Sequence, residues 1–299
     1  MTVVIIGGGP AGISTAVQLN RHKIPCCLIE KAELGGLLKN AGWVENYPGF
    51  PQGITGPALV ELFKQGLNQT ETLIIKDEVL ALSNREGIFH LTLSQGEIIA
   101  QIVVVASGSK ARAPEWLAIN WEARELVYSE IYSLLKIKEH KIVILGAGDA
   151  AFDYALSLAT QNQVVIFNRS RRIRALPVLQ EWIKNSKNIV YRENVEISKV
   201  EKISKGLLLG GIENGNEIKI TCDCLITAIG RKAQLDFITE DLREVMPELQ
   251  RQGALYLAGD VNNQDSRQTA IAVGEGIKAA MMIKQKLERL KDENFKPDG

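Results

Sequence analysis

Two stretches of this chain place an apolar strand, a glycine turn and a helix in immediate succession: "TVVIIGGGPAGISTAVQL" at residues 2–19 and "KIVILGAGDAAFDYALSLA" at 141–159. Gly7, Gly9 and Gly12 form a G-x-G-x-x-G pattern in the first, and Gly146, Gly148 and Ala151 a G-x-G-x-x-A pattern in the second. Such a turn tightens the chain, lets backbone approach a pyrophosphate, and leaves a helix N-terminus facing the phosphates with its positive dipole end. Each helix is followed by another apolar run, "PCCLIE" and "QVVIFN", which completes a parallel βαβ unit. One nucleotide-binding plan written twice predicts an α/β fold with two Rossmann-like domains of three-layer ββα type.

The ends of the second strands differ. Glu30 stands where a carboxylate accepts hydrogen bonds from ribose hydroxyls, with Lys31 after it. The matching position in the second unit is Asn168, followed by "RSRRIR", which puts Arg169, Arg171, Arg172 and Arg174 in one short loop. A carboxylate there would repel a 2′-phosphate, whereas guanidiniums suit one. The same run also fits a solvated basic loop. Two different ribose environments predict two ligands, a flavin dinucleotide in the first turn and a nicotinamide dinucleotide in the second, with hydride transfer between them as the reaction class.

The rest of the chain is organised around these units. "GGLLKNAGWVENYPGFPQGITGP" predicts loop, "ALVELFKQGLN" a helix, and residues 73–108 a meander with turns at "NREG" and "SQGE". A second meander follows "QVVIFN", with a hairpin at "ENGN". The last segment predicts a buried strand at "ALYLAG", a polar loop and a long helix starting near Arg267. Cys26, Cys27, Cys222 and Cys224 lie in apolar runs without Cys-x-x-Cys spacing, and read as packed thiols, with a Cys-x-Cys redox pair at 222 and 224 as the alternative. Lys+Arg 35 against Asp+Glu 35 gives no basic surplus that would call for nucleic acid, and the short apolar run at the N-terminus calls for no membrane, so a cytoplasmic protein is expected.

Taken together, "GGGPAG", "VENYPGFP", "ASG", "GAGDAA", "AIG" and "AGDV" followed by "RQTA" resemble, in order and across nearly the whole chain, the low-molecular-weight thioredoxin reductases. The resemblance implies an FAD-binding domain at 1–111 plus 241–299, an inserted NADPH-binding domain at 112–240, and a homodimer. It assigns Gly7, Gly9, Pro10, Ala11, Gly12, Glu30 and Lys31 to the FAD pyrophosphate and ribose, and places Val79 beside the adenine. Gly36, Leu37, Asn46, Ser107, Gly108, Gly259 and Asp260 would surround the rest of the FAD, and Gln268, Thr269 and Ala270 would bring a helix N-terminus to the flavin. NADPH would fall to Gly146, Gly148, Asp149, Ala150, Arg169 and Arg174. Leu37 stands where the family usually has glutamine, and only Arg169 and Arg174 keep the register of the family's basic signature.

The resemblance fails at its redox centre. Counting back from the second glycine turn, the family's Cys-x-x-Cys falls on "SEIY", so Ser129 and Tyr132 occupy the two thiol positions. Neither can cycle through a disulfide. Residues 238–252, "ITEDLREVMPELQRQ", also replace a strand pair with what reads as an amphipathic helix. The expectation is an FAD-dependent NADPH oxidoreductase that reduces an external acceptor directly: a ferredoxin or flavodoxin, a small disulfide, a quinone, or oxygen. The alternative is a flavin-binding sensor or partner protein with little NADPH turnover.

Overall fold

The computed structural model describes residues 2–264 and 266–294. Strand β1 (Val3–Ile6) is almost wholly buried, because it lies mid-sheet with both faces covered. After it come α1 (Pro10–Arg21), β2 (Cys26–Ile29), a 3₁₀ turn at Gly36–Asn40, α2 (Gly56–Asn68) and β3 (Leu73–Ile75). The meander is β4 (Val79–Arg85), β5 (Ile88–Leu93) and β6 (Gly96–Ala100), followed by β7 (Ile102–Val105) and β8 (Ser109–Ala111). The 3₁₀ turn corrects the expectation of unbroken loop: Leu38 is buried there, and burial of one apolar side chain orders the segment.

Next run β9 (Ala118–Ile119), β10 (Val127–Tyr128), β11 (Lys141–Leu145), α3 (Asp149–Leu158), β12 (Gln163–Asn168), α4 (Pro177–Asn185) and β13 (Ile189–Glu193). The second meander is β14 (Val195–Lys202), β15 (Leu207–Glu213) and β16 (Asn216–Cys222), and β17 (Cys224–Thr227) and β18 (Arg231–Ala233) follow. The chain ends with α5 (Glu240–Arg251), β19 (Leu255–Leu257) and α6 (Thr269–Asn294).

These elements form two compact units. The first comprises Met1–Lys39, Glu45–Lys110 and Lys232–Gly299, and the second Asn40–Val44 and Ala111–Arg231. The return crossing thus falls earlier than 240/241, because residues 237–239 are stitched to β4: Leu82 N donates to Phe237 O at 2.7 Å and Thr239 N to Leu82 O at 3.1 Å. Residues 1, 265 and 295–299 of the expected FAD domain lie outside the described residues.

Both units use the same parallel order around a glycine-turn strand. The first sheet runs β19-β7-β1-β2-β3, the second β10-β17-β11-β12-β13. In the first unit α6 crosses α1 at close range, since a Cβ on Gly276 would sit 2.2 Å from Ala11 O. Thr15 Oγ1 ties the crossing by donating to Ala11 O and Gly276 O. Helix α5, as expected from its pattern, turns Leu242 and Leu249 into the core that also holds Leu82, Phe89 and Leu255.

Candidate functional site

In the first unit, the glycine pattern is a steric requirement of the turn. Gly7 has φ +106°, and a Cβ on it would lie 2.4 Å from Ala106 O; a Cβ on Gly12 would lie 1.8 Å from Gly7 O. Gly9 caps α1, and Pro10 opens the helix with the fixed φ that suits its first position. Ala11 is buried against Gly259, which has φ +83° and would put a Cβ 2.9 Å from it. Gly36 packs back-to-back on the turn, 3.1 Å from Gly9 Cα by its would-be Cβ.

The Glu30 carboxylate closes this turn. Oε2 accepts from Gly8 N at 2.7 Å and Oε1 from Ala32 N at 2.9 Å, leaving lone pairs on both oxygens for hydroxyl donors. A cavity of about 290 Å³ adjoins it, lined by Gly7, Glu30, Lys31, Val79 and Ser107 of the expected set. Gln234, Asp236 and Phe237 also line it, and sequence reasoning missed these three because they follow the return crossing. Lys31 pairs with Glu78 at 3.0 Å, and Ser107 Oγ donates to Gln234 O at 2.6 Å. Gly108, at φ +70°, accepts at its carbonyl from Gln234 N.

Farther along, Asn46 Nδ2 donates to Gln268 Oε1 at 2.8 Å, so two residues distant in sequence meet at the start of α6. Gln268 precedes Thr269 and Ala270, and its carbonyl accepts from Ala272 N. Leu37 lies in the 3₁₀ turn. Ser109 Oγ donates to Asp260 Oδ2 at 3.3 Å. The loop carrying Asp260 hangs on one unpredicted side chain: Glu275 accepts from Gly259 N at 2.6 Å, Asn263 Nδ2 at 3.0 Å and Asn262 Nδ2 at 3.3 Å. A carboxylate between Gly274 and Gly276, the first charged residue of an apolar opening stretch of the helix, was the signal that could have found it.

The second unit repeats the turn with a looser third position. Gly146 has φ +139° and a would-be Cβ 2.3 Å from Ala228 O, while Ala151 fits with its Cβ 3.5 Å from that point. Gly148 caps α3, Asp149 and Ala150 are its first, exposed residues, and Asp149 Oδ1 accepts from Leu176 N at 2.8 Å. Asn168 is buried and builds the arginine loop, donating to Arg172 O at 3.0 Å and Tyr191 OH at 2.9 Å and accepting from Ser170 N. Arg174 N and Ala175 N both donate to Ala147 O, which ties this loop onto the glycine turn. All four guanidiniums of the loop are exposed. Glu193 draws Arg171 at 3.6 Å, and Arg169 lies over the Trp116 ring, 5.6 Å from its centre. Those of Arg172 and Arg174 make no hydrogen bond or ion pair among the described residues.

Ser129 and Tyr132 stand on the segment leading to a 3₁₀ turn at Tyr132–Leu134, with the Tyr132 ring 42% exposed. Asn40 shapes this segment from a distance in sequence: its Oδ1 accepts from Ile131 N at 3.0 Å and Tyr132 N at 2.9 Å. Beside it, Asp153 on α3 accepts from Gly42 N at 3.2 Å, and burial pushes its carboxyl up to about 6. Burial likewise pushes the Cys222 and Cys224 thiols up to about 12 and Cys27 to about 11, opposite to the low values of redox-active cysteines. Among the described residues no cluster of His, Cys, Asp and Glu could hold a metal ion, and no helix is long and apolar enough to cross a membrane.

This arrangement has known counterparts. Residues 1–276 match the family described as pyridine nucleotide-disulphide oxidoreductase. A thioredoxin reductase of Streptomyces coelicolor is 30% identical over 309 residues, covering 98% of this chain and 95% of that protein. The "NADPH-dependent thioredoxin reductase 3" of Arabidopsis thaliana is 27% identical over 95% of this chain, which spans 58% of that protein. The crystal structure of Lactococcus lactis thioredoxin reductase in its FR conformation has the same fold, with a TM-score of 0.82 at 22% identity over 96% of this chain and 99% of that one.

Proposed function

The chain belongs to the pyridine nucleotide-disulphide oxidoreductase family, within its thioredoxin-reductase-like branch of FAD-dependent enzymes served by NADPH, and from that premise we propose that it passes electrons from FAD straight to an external acceptor, with no protein dithiol between them. The observation that carries this reading is a second glycine turn, with its arginine loop bonded onto it, in a chain whose sequence has no Cys-x-x-Cys.

The first unit fits FAD on its own geometry. Gly7 and Gly12 leave a cradle that any side chain would fill, and the Glu30 oxygens keep acceptor capacity beside the cavity that Val79 lines. Asp260, fixed through Glu275 and Ser109, would bind the ribityl chain. Thr269 and Ala270 would present the N-terminus of α6, whose positive end favours negative charge at the flavin edge. The second unit fits NADPH: Gly146, Gly148 and the start of α3 would take the pyrophosphate, and Arg169 and Arg174 the 2′-phosphate. FAD, when bound, supplies two-electron redox chemistry between nicotinamide and acceptor. The buried, high-pKa thiols leave no thiolate to intercept those electrons. We further propose a homodimer; the exposed Met281 and Met282 on α6 are apolar surface that an interface would cover.

Anaerobic mixing of the purified flavoprotein with NADPH or NADH tests the reading. NADPH is expected to bleach the flavin within seconds, and the bleached protein is then expected to be reoxidised by one of ferredoxin or flavodoxin, a small disulfide, a quinone or oxygen. A yellow protein inert to both nucleotides would make it a flavin-binding sensor or partner instead. Robust turnover with thioredoxin would restore a dithiol route.

A further inference from the structure

We propose that Trp116 is a positioning residue for nucleotide specificity, holding the Arg169 guanidinium with its N–H edge free for the 2′-phosphate of NADPH. This inference rests on the NADPH reading above and deepens it.

The four arginines of the 168–174 loop are not equivalent. Arg171 faces Glu193, and a carboxylate partner takes up the N–H donors that a phosphate would need. Arg172 and Arg174 are held through their backbones alone: Asn168 grips Arg172 O, and Ala147 O accepts from Arg174 N. Arg169 alone has its guanidinium placed against an aromatic ring, 5.6 Å from the Trp116 centre. A ring face attracts the cation through its quadrupole and consumes no N–H donor. The contact therefore narrows the rotamer freedom that a long exposed side chain would otherwise lose on binding, and leaves the fork free for a bidentate anion. Trp116 itself is 43% exposed on the segment between β8 and β9, so core packing does not fully account for so large an apolar side chain there. No local pattern links positions 116 and 169.

The test is calorimetric titration of the FAD-loaded protein with 2′,5′-ADP and with 5′-AMP, which differ by the phosphate in question. Wild type is expected to prefer 2′,5′-ADP. Trp116→Ala is expected to weaken 2′,5′-ADP about three- to tenfold while leaving 5′-AMP within about twofold. Trp116→Phe, which keeps a ring face and is the milder change to the fold, should retain most of the preference. In an Arg169→Ala background, Trp116→Ala should add no further loss. Equal weakening of both ligands, or unchanged 2′,5′-ADP binding in Trp116→Ala, would overturn the role of Trp116 while leaving the NADPH reading intact. Absence of any 2′,5′-ADP preference in wild type would overturn both.

Discussion

The two glycine turns share strand order and helix placement, yet the residue at the end of the second strand is used in opposite ways. Glu30 reaches back and bonds Gly8 N, sealing the turn it belongs to. Asn168 reaches forward, bonding Arg172 O, Tyr191 OH and Ser170 N, and so builds a loop outside the turn. On the proposed reading, the scaffold would fix where a pyrophosphate goes, and a single side chain would decide whether the ribose meets a carboxylate or a cluster of guanidiniums.

Changing the third position of each turn should break the comparison most sharply. Gly12→Ala drives a methyl into Gly7 O, 1.8 Å away, so the turn must open. A loss of about 3 kcal/mol or more is expected, with purification of a colourless protein. Ala151 already carries that methyl without clash, so Ala151→Gly should cost no more than about 1 kcal/mol. Thermal melts and flavin content of both variants check the asymmetry.

The helices after the turns differ in the same sense. At the fifth residue beyond the second turn glycine, Ser14 donates to Pro10 O of its own helix, while Asp153 reaches out to Gly42 N. Burial raises Asp153 from 3.8 to about 6, so the folded chain holds this proton more tightly than the unfolded chain does. Stability contributed by this group is therefore present below about pH 4 and lost as pH rises through about 6, a change of about 2–3 kcal/mol. Asp153→Asn keeps an acceptor for Gly42 N and should flatten that part of the stability–pH profile, as urea titrations at several pH values would reveal.

The arginine loop offers a smaller effect. Replacing Arg169 and Arg174 together by Ala should raise KM for NADPH about thirtyfold and leave KM for NADH nearly unchanged, since charge-assisted bonds to phosphate are at stake. Equal effects on both nucleotides would place the loop away from the 2′-phosphate.

Much of this was legible in the sequence because it is local. The glycine spacing, the apolar strands, the turns at "NREG", "SQGE" and "ENGN" and the helix at 240–251 each declare themselves within a dozen residues. What escaped depends on bonds between distant positions. Asn40 shapes the Ile131–Tyr132 backbone from 91 residues away, Arg169 meets Trp116, and Gln234 enters the cavity beside Gly7 only after the chain has crossed to the second unit and returned. Residues 40–44 looked like part of a loop of the first unit, but their hydrogen bonds to 131, 132 and 153 count them with the second.

Glu275 carries the comparison to its smallest measurable difference. The first unit, unlike the second, follows its last parallel strand with a helix, and that helix returns a carboxylate to the loop it has just left. Three donors converge on it, one of them the backbone of Gly259, whose φ of +83° already restricts that position to glycine. Glu275→Gln keeps the size of the side chain but replaces one acceptor oxygen with a donor NH₂ that faces other donors. The loop should loosen without unfolding, and Asp260 with it, costing about 1–1.5 kcal/mol and weakening FAD roughly tenfold, read from flavin release on dilution. Binding of 2′,5′-ADP should not change, because Gly259, Asn262 and Asn263, which this carboxylate holds, all belong to the first unit. If both ligands weakened together, Glu275 would be a general stabiliser of the chain rather than the clamp that sets the flavin end of the first site.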